Sequence, residues 1–403
     1  MARPLVDPRP PIPTAYRTDD RVAIQQMARD FAMNKVFPVA NELDPEHGMI
    51  PESLRKEMGE LGFFGILIPE EYGGLGLGVF EYALITEELA RAWMSVASII
   101  ARSSLVNGLD PSQRARYMPL AATGQWLGAF AMSEPDAGSD IASVRTRADK
   151  VDGGWLLNGQ KMWCTFADQA NCLIIVARTT PYDPANRHAG IRNFVIHKDP
   201  GTFPNGCVGN PIRKIGYHGW NTYELSFDDC FVADDGLVRP DVVETDADAG
   251  FKRVAADMTT FRIHTAARSI GLARGALEDA IDYAQQRVQF DRPISEFQVT
   301  RFKIAKMASE IETCRALMYQ VAADDDAGET SGMRAAMVKF MAAEMSERVT
   351  SESLQIHGGA GYTTDFAVER YWRDARLTKI FEGTSEIMQR LIADNLLAKS
   401  SLR

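Results

Sequence analysis

One acidic residue near the end of the chain stands in a setting that suits proton transfer. Glu382 follows two apolar residues in Ile380-Phe-Glu-Gly-Thr-Ser-Glu386 and precedes a Gly-Thr-Ser sequence that is typical of a helix start. A carboxylate held in an apolar site keeps a proton more readily and can act as a general base. The other interpretation is an acid that caps the following helix.

A proline-containing turn carries hydroxyl groups and acids over Phe130-Ala-Met-Ser-Glu-Pro-Asp-Ala-Gly-Ser-Asp140. Such a turn exposes backbone N–H groups and side-chain donors, which can hold the polar edge of a ring or a phosphate. A capped loop between two domains explains the segment equally well.

Trp163 and Thr165 stand two residues apart in Asn158-Gly-Gln-Lys-Met-Trp-Cys-Thr165. In an extended strand both side chains point to the same face, so the indole could stack on an aromatic heterocycle that the hydroxyl also contacts. A tryptophan in the core of a hairpin is the alternative.

Arg287 opens the segment Arg287-Val-Gln-Phe-Asp-Arg-Pro-Ile-Ser-Glu-Phe-Gln298. It follows a predicted helix, where a guanidinium can clamp a phosphate or can simply complement the helix dipole.

Three glycines lie close together in Gln355-Ile-His-Gly-Gly-Ala-Gly-Tyr362. They allow a bulky ligand to approach the backbone closely, or they only end a helix.

The elements that must position these motifs fall into three regions. Helical spacing of Ala23, Met27, Phe31 and Val36 predicts an amphipathic first helix, and helical character continues to about residue 126. Short β-branched runs, such as the one over residues 172–176, then predict a β-rich region to about residue 245. We expect an N-terminal arm over 1–20, a helical domain over 21–126, a β-domain over 127–245 and a helical bundle over 246–403.

The C-terminal region repeats apolar residues at the spacing of a bundle seam. These are Phe297, Thr300, Ile304, Met307, Ile311, Cys314, Met318 and Val321. A further helix is expected from about Ser331 to Ile356, and a last one after Gly383. The fold class is therefore α+β, with a C-terminal helical bundle.

Composition excludes several classes of partner. The 403-residue chain has a formal net charge of -10, which opposes binding to nucleic acid or to an anionic membrane surface. Its five cysteines and six histidines are scattered, so neither a disulfide framework nor a metal site is expected. The proline-rich N-terminus lacks the apolar segment of a signal peptide, and we expect a cytoplasmic location.

In this order and at these separations, the five motifs resemble the acyl-CoA dehydrogenase family from about residue 20 to about residue 398. The resemblance implies the acyl-CoA dehydrogenase fold, with its N-terminal helical domain, middle β-domain and C-terminal four-helix bundle. No GxGxxG motif stands in a βαβ context, which disfavours a Rossmann oxidoreductase.

The resemblance implies an FAD that lies extended between the β-domain and the bundle, its adenosine half reaching a neighbouring subunit. The residues this assigns to the flavin end are Phe130, Met132, Ser133, Ser139, Trp163 and Thr165. The residues assigned to the pyrophosphate and adenosine are Arg287, Phe290, Phe297, Gln298, Gln355, Gly358, Gly359, Thr384 and Glu386. A homo-oligomer is required, usually a tetramer in the family.

The resemblance also implies the reaction. Glu382 matches the family's base, which removes the α proton of an acyl-CoA thioester while the β hydrogen leaves as hydride to flavin N5. The Glu382 backbone N–H and a ribityl hydroxyl would polarise the thioester carbonyl. Some branches place the base at the position of Phe261, which cannot take a proton. The residues implied for the substrate are Ser139, Thr259, Arg262 and Gly383.

The chain departs from the family's pattern at several positions. Thr259 replaces an acid or amide, Asp394 replaces an arginine of the last helix, and the segment from Leu105 to Gln113 is shorter than usual. Arg102 stands in the preceding helix, in Ser98-Ile-Ile-Ala-Arg-Ser-Ser104. We hypothesise that it pairs with a carboxylate of a dicarboxylic or aryl-succinyl thioester. A solvated arginine on the helix surface is the alternative.

Electrons are expected to leave through an electron-transfer flavoprotein. Three other functions stay open at this point: an acyl-CoA oxidase, a desulfinase-type lyase of the same fold, and a non-catalytic binding protein. The retained Glu382 favours redox chemistry over a lyase, and the intact Glu382, Thr165 and Trp163 argue against a non-catalytic binding protein.

Overall fold

The structure is a computed structural model that describes residues 12–238 and 249–398. Helices come first, a β-sheet follows, and long helices complete the chain. The predicted fold class, α+β with a helical N-terminal region, a β-rich middle and a C-terminal bundle, is confirmed.

The N-terminal region, as described from residue 12 onward, contains six α-helices. They are α1 (Asp19–Phe31), α2 (Phe37–Leu43), α3 (Glu52–Glu60), α4 (Val79–Ala92), α5 (Met94–Ile99) and α6 (Pro111–Ala122). Thr18 caps α1 by accepting a hydrogen bond from the Arg21 N–H at 3.1 Å. The helical path continues from α1 to α2 through a π-helical turn, Ala32–Val36. Phe31 and Val36 are buried as predicted, whereas Ala23 is exposed, so the apolar face is narrower than its spacing indicated.

The middle region forms one seven-stranded mixed sheet. Its strands are β1 (Gly128–Ala131), β2 (Arg147–Val151), β3 (Gly154–Thr165), β4 (Cys172–Arg178), β5 (Ile191–His197), β6 (Cys207–Ile212) and β7 (Thr222–Ala233). The order is β1-β4-β2-β3-β7-β6, and β5 pairs with β4. β4 pairs in parallel with β1 and β2, while the other pairs are antiparallel.

The C-terminal region is built on three long helices. They are α7 (Ala249–Gln286), α8 (Gln298–Asp326) and α9 (Gly332–His357), and the shorter α10 (Val368–Thr378) and α11 (Ser385–Ala398) follow. A hairpin of β8 (Val288–Gln289) and β9 (Arg292–Pro293) joins α7 to α8. Most of the predicted seam is buried, including Met307, Ile311 and Met318, and it packs in one core with α4 and α7.

A buried charge network ties α4 to the bundle. Arg274 on α7 donates to Glu88 on α4 at 2.8 Å, and Arg315 on α8 pairs with Glu87 at 3.0 Å. Its buried part in the described chain consists of four arginines and four carboxylates, namely Arg29, Arg91, Arg274, Arg315, Glu87, Glu88, Glu278 and Asp279, and Arg315 also pairs with the exposed Glu312. Each charge has an opposite charge beside it, which a buried ion needs if it is not to destabilise the fold.

The predicted domain boundaries stay predictions. Helix α6 ends at Ala122 and β1 begins at Gly128, on either side of the boundary expected after residue 126. The boundary expected after residue 245 and residues 1–11 of the arm lie outside the described residues. The rest of the arm packs on the bundle, since Ile12 is buried and Tyr16 contacts the Phe80 ring.

Within the described ranges, no helix is both long enough and apolar enough to cross a membrane. The cytoplasmic location stays a prediction.

Candidate active site

Glu382 lies in the short loop between α10 and α11. Its φ of 54° is left-handed, and Gly383 follows with a φ of 92°, a conformation that glycine adopts at little cost. Lys339 of α9 donates a hydrogen bond to the Gly383 carbonyl and so holds the loop on the bundle. Within the described part of the chain, the Glu382 backbone N–H donates no hydrogen bond and is free for a ligand.

The Glu382 carboxylate is held by two residues of α7. Arg268 Nη2 lies 2.7 Å from both carboxylate oxygens, and the Thr265 hydroxyl donates to Oε2. Arg268 also donates to Thr265 Oγ1 at 2.9 Å. The Glu382 side chain keeps 28% of its surface exposed, whereas that of Arg268 keeps 1%. The carboxylate is therefore fixed at its inner side and open at its outer side.

Arg268 and His264 place polar groups deep in the site. Arg268 Nη1 donates to Ser98 Oγ at 2.9 Å, and its guanidinium lies over the Phe381 ring. His264 Nε2 lies 3.0 Å from the Ala97 carbonyl, so this nitrogen carries the proton. Burial, and then the charge of Arg268, hold the pKa of His264 well below its usual value, so the ring is neutral.

A narrow gap, too small to hold a water molecule, lies between the end of α5 and the β-sheet. It is lined by Ser98, Ile99, Arg102, Thr165, Phe166, Tyr217 and Trp220. Arg102 lies in a 3₁₀ turn, Ile100–Arg102, after the end of α5, and not within an α-helix as the sequence indicated. Its side chain is half-buried at the wall of this gap, and its role stays a prediction.

The segment over residues 130–140 is anchored to β3 by a buried lysine. Lys161 donates to the Met132 carbonyl at 3.0 Å and to Glu134 at 2.8 Å, and Met162 N–H donates to the Ser133 carbonyl at 2.8 Å. Burial lowers the pKa of Lys161 to about 8, although Glu134 opposes this shift. Phe130, Met132 and Ser133 are half-buried along the segment, and Ser139 at its end is exposed.

Trp163 is exposed and Thr165 is half-buried, and the part of β3 that carries them is irregular. The register with β7 shifts between Lys161 and Cys164, and Trp163 has a φ of 63°. The simple strand alternation used to predict their common side is therefore interrupted by a bulge. The Trp163 side chain is 58% exposed, and the Thr165 hydroxyl lies 2.9 Å from that of Thr222.

A second group of predicted residues meets at one end of the bundle, where Tyr283 of α7 stacks on His357 of α9. Its members are Arg287, Phe290, Phe297, Gln298, Gln355, Gly358 and Gly359. Phe290 is 88% exposed, and its ring meets that of Phe297 edge to face. A Cβ at Gly358 or Gly359 would meet nothing within 4 Å, so this surface is open.

The remaining predicted residues lie around the ends of α7 and α11. Thr384 accepts a hydrogen bond from the Ile387 N–H at 3.3 Å, and Glu386 is exposed in the first turn of α11. Thr259 is buried on α7, while Arg262 is half-buried with an Nε that has no partner among the described residues. Asp394 forms an exposed pair with Arg390.

Sequence reasoning missed the polar residues that α7 brings to Glu382. Thr265 and Arg268 follow Phe261 by four and seven residues, the spacing of one helical face. Polar and charged residues on the otherwise apolar face of a long helix could have indicated that α7 contributes to a site. Ser98 and Lys339 carried no such signal, because only the packing brings them to the site.

Three domain families match the chain in order. They are the acyl-CoA dehydrogenase N-terminal domain over residues 18–125, the middle domain over 129–230 and the C-terminal domain over 248–397. An acyl-CoA dehydrogenase of Bacillus subtilis (strain 168) is 40% identical over 387 residues, which cover 94% of this chain and 98% of that protein. The chain belongs to the acyl-CoA dehydrogenase family.

Solved structures share its fold. A chain from a study of the electron transferring flavoprotein of Acidaminococcus fermentans has a TM-score of 0.87 at 34% identity, covering 94% of this chain and 98% of that one. A glutaryl-CoA dehydrogenase from Mycobacterium smegmatis, solved with FADH2, has a TM-score of 0.86 at 26% identity, covering 96% of this chain and 97% of that one.

The acyl-CoA dehydrogenase family is FAD-dependent, and this member is an FAD-dependent oxidoreductase. The surface of this chain is suited to bind FAD. The exposed Trp163 indole offers a flat apolar face, and the open glycines Gly358 and Gly359 leave room for a ligand against the backbone.

Proposed function

We propose that the chain dehydrogenates an acyl-CoA thioester between its α and β carbons, with Glu382 as the base. The observation that carries this proposal is the position of the Glu382 carboxylate. It is fixed by Arg268 at 2.7 Å, open to the cleft, and attached to a backbone N–H that no other group of the described chain uses.

The chain's own residues account for the proton. The α C–H bond breaks and its proton goes to a Glu382 oxygen, while the electron pair becomes part of the new C=C bond. The free Glu382 N–H would donate to the thioester oxygen and stabilise the charge that develops there. Arg268 and Thr265 keep the carboxylate oriented before the transfer, which limits the reorganisation that the reaction requires.

When bound, FAD supplies the two-electron acceptor for the hydride that leaves the β carbon. The residues we assign to its flavin end are Phe130, Met132, Ser133, Ser139, Trp163 and Thr165. Those we assign to its pyrophosphate and adenosine are Arg287, Phe290, Phe297, Gln298, Gln355, Gly358, Gly359, Thr384 and Glu386. For coenzyme A we assign Ser139, Thr259, Arg262 and Gly383.

The open end of the bundle supports a homo-oligomer. Phe290, Val299 and Phe302 expose large apolar side chains there, and a groove of about 550 Å³ runs between α8 and α9. Exposed apolar surface of this kind is typical of a protein interface. We propose a tetramer in which a second copy covers this end and completes the adenosine site. An electron-transfer flavoprotein would then reoxidise the enzyme.

Anaerobic titration tests the function. Purified protein should carry a yellow cofactor that bleaches on addition of an acyl-CoA, with one enoyl-CoA formed for each flavin reduced. Rapid oxygen consumption without an electron-transfer flavoprotein would make the chain an oxidase. A colourless protein that does not bind FAD, or a flavin that no acyl-CoA in a broad panel reduces, would refute the proposal.

A further inference from the structure

A buried lysine of α9 stands beside the catalytic loop without an acidic partner. Lys339 is fully buried, and within residues 12–238 and 249–398 its ammonium group forms no ion pair. Its hydrogen bond goes to the neutral carbonyl of Gly383. Burial lowers the pKa of Lys339 to about 8, although Glu382 opposes this shift. Because a buried cation without a counter-ion is unfavourable for folding, stability alone does not explain this residue.

The two ends of the catalytic loop are attached to the bundle by other residues. Lys379 at the start of the loop donates to Glu347 of α9 at 2.7 Å, and Ser385 at its end donates to Glu344 of α9 at 2.8 Å. The Ser385 N–H also donates to the Lys379 carbonyl at 3.0 Å and closes the loop. The loop therefore does not need Lys339 to stay on α9.

Lys339 acts on the middle of the loop, where the base stands. In the described part of the chain it makes the only hydrogen bond to the backbone of Glu382 or Gly383. The left-handed φ of Glu382, 54°, is costly for a residue with a side chain and has to be held by its surroundings. Arg268 and Thr265 hold the Glu382 carboxylate from α7, whereas Lys339 holds the backbone from α9. Fixing the Gly383 carbonyl limits rotation of the adjoining Glu382 backbone, and so the direction of its free N–H.

The charge of Lys339 also reaches the base. After burial, which lowers it, Glu382 has the largest influence on the pKa of Lys339 and raises it. Arg268 and Arg262 of α7 lower this pKa, and Glu344 of α9 raises it. In the proposed reaction, negative charge leaves the Glu382 carboxylate and develops on the thioester oxygen at the Glu382 N–H. A cation fixed behind the same short loop, away from water, stabilises that charge without having to move.

We propose that Lys339 is a positioning residue for removal of the α proton. It fixes the Gly383 carbonyl so that the Glu382 N–H faces the thioester oxygen, and its charge stabilises the negative charge that develops there. This inference rests on the proposed function and adds to it a residue that is buried behind the loop.

Exchange of the α proton tests the inference separately from hydride transfer. (Methylthio)acetyl-CoA has sulfur in place of the β carbon, so it can lose an α proton but has no β hydrogen to give to a flavin. Holoenzyme is incubated with this thioester in D2O, and mass spectrometry measures the rate at which deuterium enters the α position. Lys339→Met removes the donor and the charge and nearly preserves the shape of the side chain. It should slow exchange at saturation about 10- to 100-fold and change the Kd of the thioester less than about threefold.

Flavin reduction by the best acyl-CoA is the second readout, and Lys339→Met should slow it by a similar factor. Lys339→Arg keeps a cation and a donor, and should recover part of both rates. Since Lys339→Met replaces an unpaired buried charge by an apolar side chain, it should not lower Tm. A role in stability alone predicts the opposite pattern, a lower Tm with unchanged rates for the folded enzyme.

Lys379→Met is the matched control. It removes a lysine that ties the same loop to the same helix, but through the carboxylates of Glu344 and Glu347 at the end of the loop. It should slow exchange less than about threefold. Equal slowing by Lys339→Met and Lys379→Met would overturn the inference, because any loosening of the loop would then have the same effect.

The remaining outcomes are also decisive. Exchange and flavin reduction at wild-type rates in Lys339→Met would overturn the inference and leave the dehydrogenase proposal intact. If Lys339→Met does not bind FAD, the wild type decides. Its exchange rate should fall about three- to tenfold between about pH 7 and about pH 9.5, as Lys339 loses its proton, and a constant or rising rate would overturn the inference. A wild type that neither exchanges the α proton nor is reduced by any acyl-CoA would instead refute the proposed function.

Discussion

Two buried groups of charges in this molecule differ in how they are balanced. Between α4, α7 and α8, four arginines of the described chain face four carboxylates, and the most buried of these, Glu88, keeps none of its side-chain surface exposed. Around Glu382, Arg268 pairs with a carboxylate that stays 28% exposed, and Arg102 has no ion pair among the described residues. The balanced group needs nothing from outside and holds helices together. The unbalanced group is arranged for a ligand.

The contrast is sharpest if one arginine of the balanced network is removed. Arg274→Met leaves Glu87 and Glu88 with an excess negative charge in a dry interior. We expect the free energy of unfolding to fall by about 3–5 kcal/mol, measured by denaturant titration. Arg116→Met on the exposed face of α6 is the control and should change it by less than about 0.5 kcal/mol. If Arg274→Met lowered the free energy of unfolding by much less, the balanced network would not hold the helices together as we describe.

The corresponding change in the unbalanced group should cost less stability. Arg268→Met leaves Glu382 without its partner, but the carboxylate can turn its exposed side to water. The expected loss is about 1–2 kcal/mol in the same titration. If Arg268→Met were as destabilising as Arg274→Met, the two groups would not differ as we describe.

The burial of His264 beside Arg268 also predicts a dependence of stability on pH. His264 is neutral in the folded chain because burial, Arg268 and Arg102 lower its pKa, whereas in the unfolded chain it titrates near its usual value. The unfolded state therefore binds more protons as the pH falls, and stability is lost in that direction. Between about pH 7.5 and about pH 5.5, this residue should account for about 1.4 kcal/mol. His264→Asn should reduce the pH dependence by that amount, and an unchanged slope would contradict the neutral ring.

Two exposed aromatic residues of the sheet can be compared in the same way, and here we expect a smaller effect, on FAD affinity. Trp163 is exposed although its indole is large, which we explain by a flavin that covers it. Trp163→Ala should weaken FAD binding to the apoprotein by about 0.5–1.5 kcal/mol, or roughly two- to tenfold in Kd. Phe231→Ala, at another exposed aromatic of the same sheet, should leave FAD affinity unchanged. Equal effects of the two changes would argue against the assigned flavin face.

The sequence was sufficient for the order of the regions because helical and strand patterns are local. The helix predicted from about Ser331 to Ile356 is observed as Gly332–His357, and the last helix follows Gly383 as expected. Local patterns could not reveal the bulge at Trp163, which depends on pairing with β7. They also missed the pair of Arg268 with Glu382, since 114 residues separate its partners. The hydrogen bond from Arg268 to Ser98 was likewise out of reach, because only packing brings α5 against α7.

The central claim is that Glu382 removes the α proton. Stopped-flow measurement of anaerobic flavin reduction, with wild type and Glu382→Gln loaded with equal amounts of FAD, tests it most directly. We predict that the variant still binds acyl-CoA but reduces its flavin about 100- to 10,000-fold more slowly. A Glu382→Gln enzyme that reduces its flavin at the wild-type rate would contradict the account.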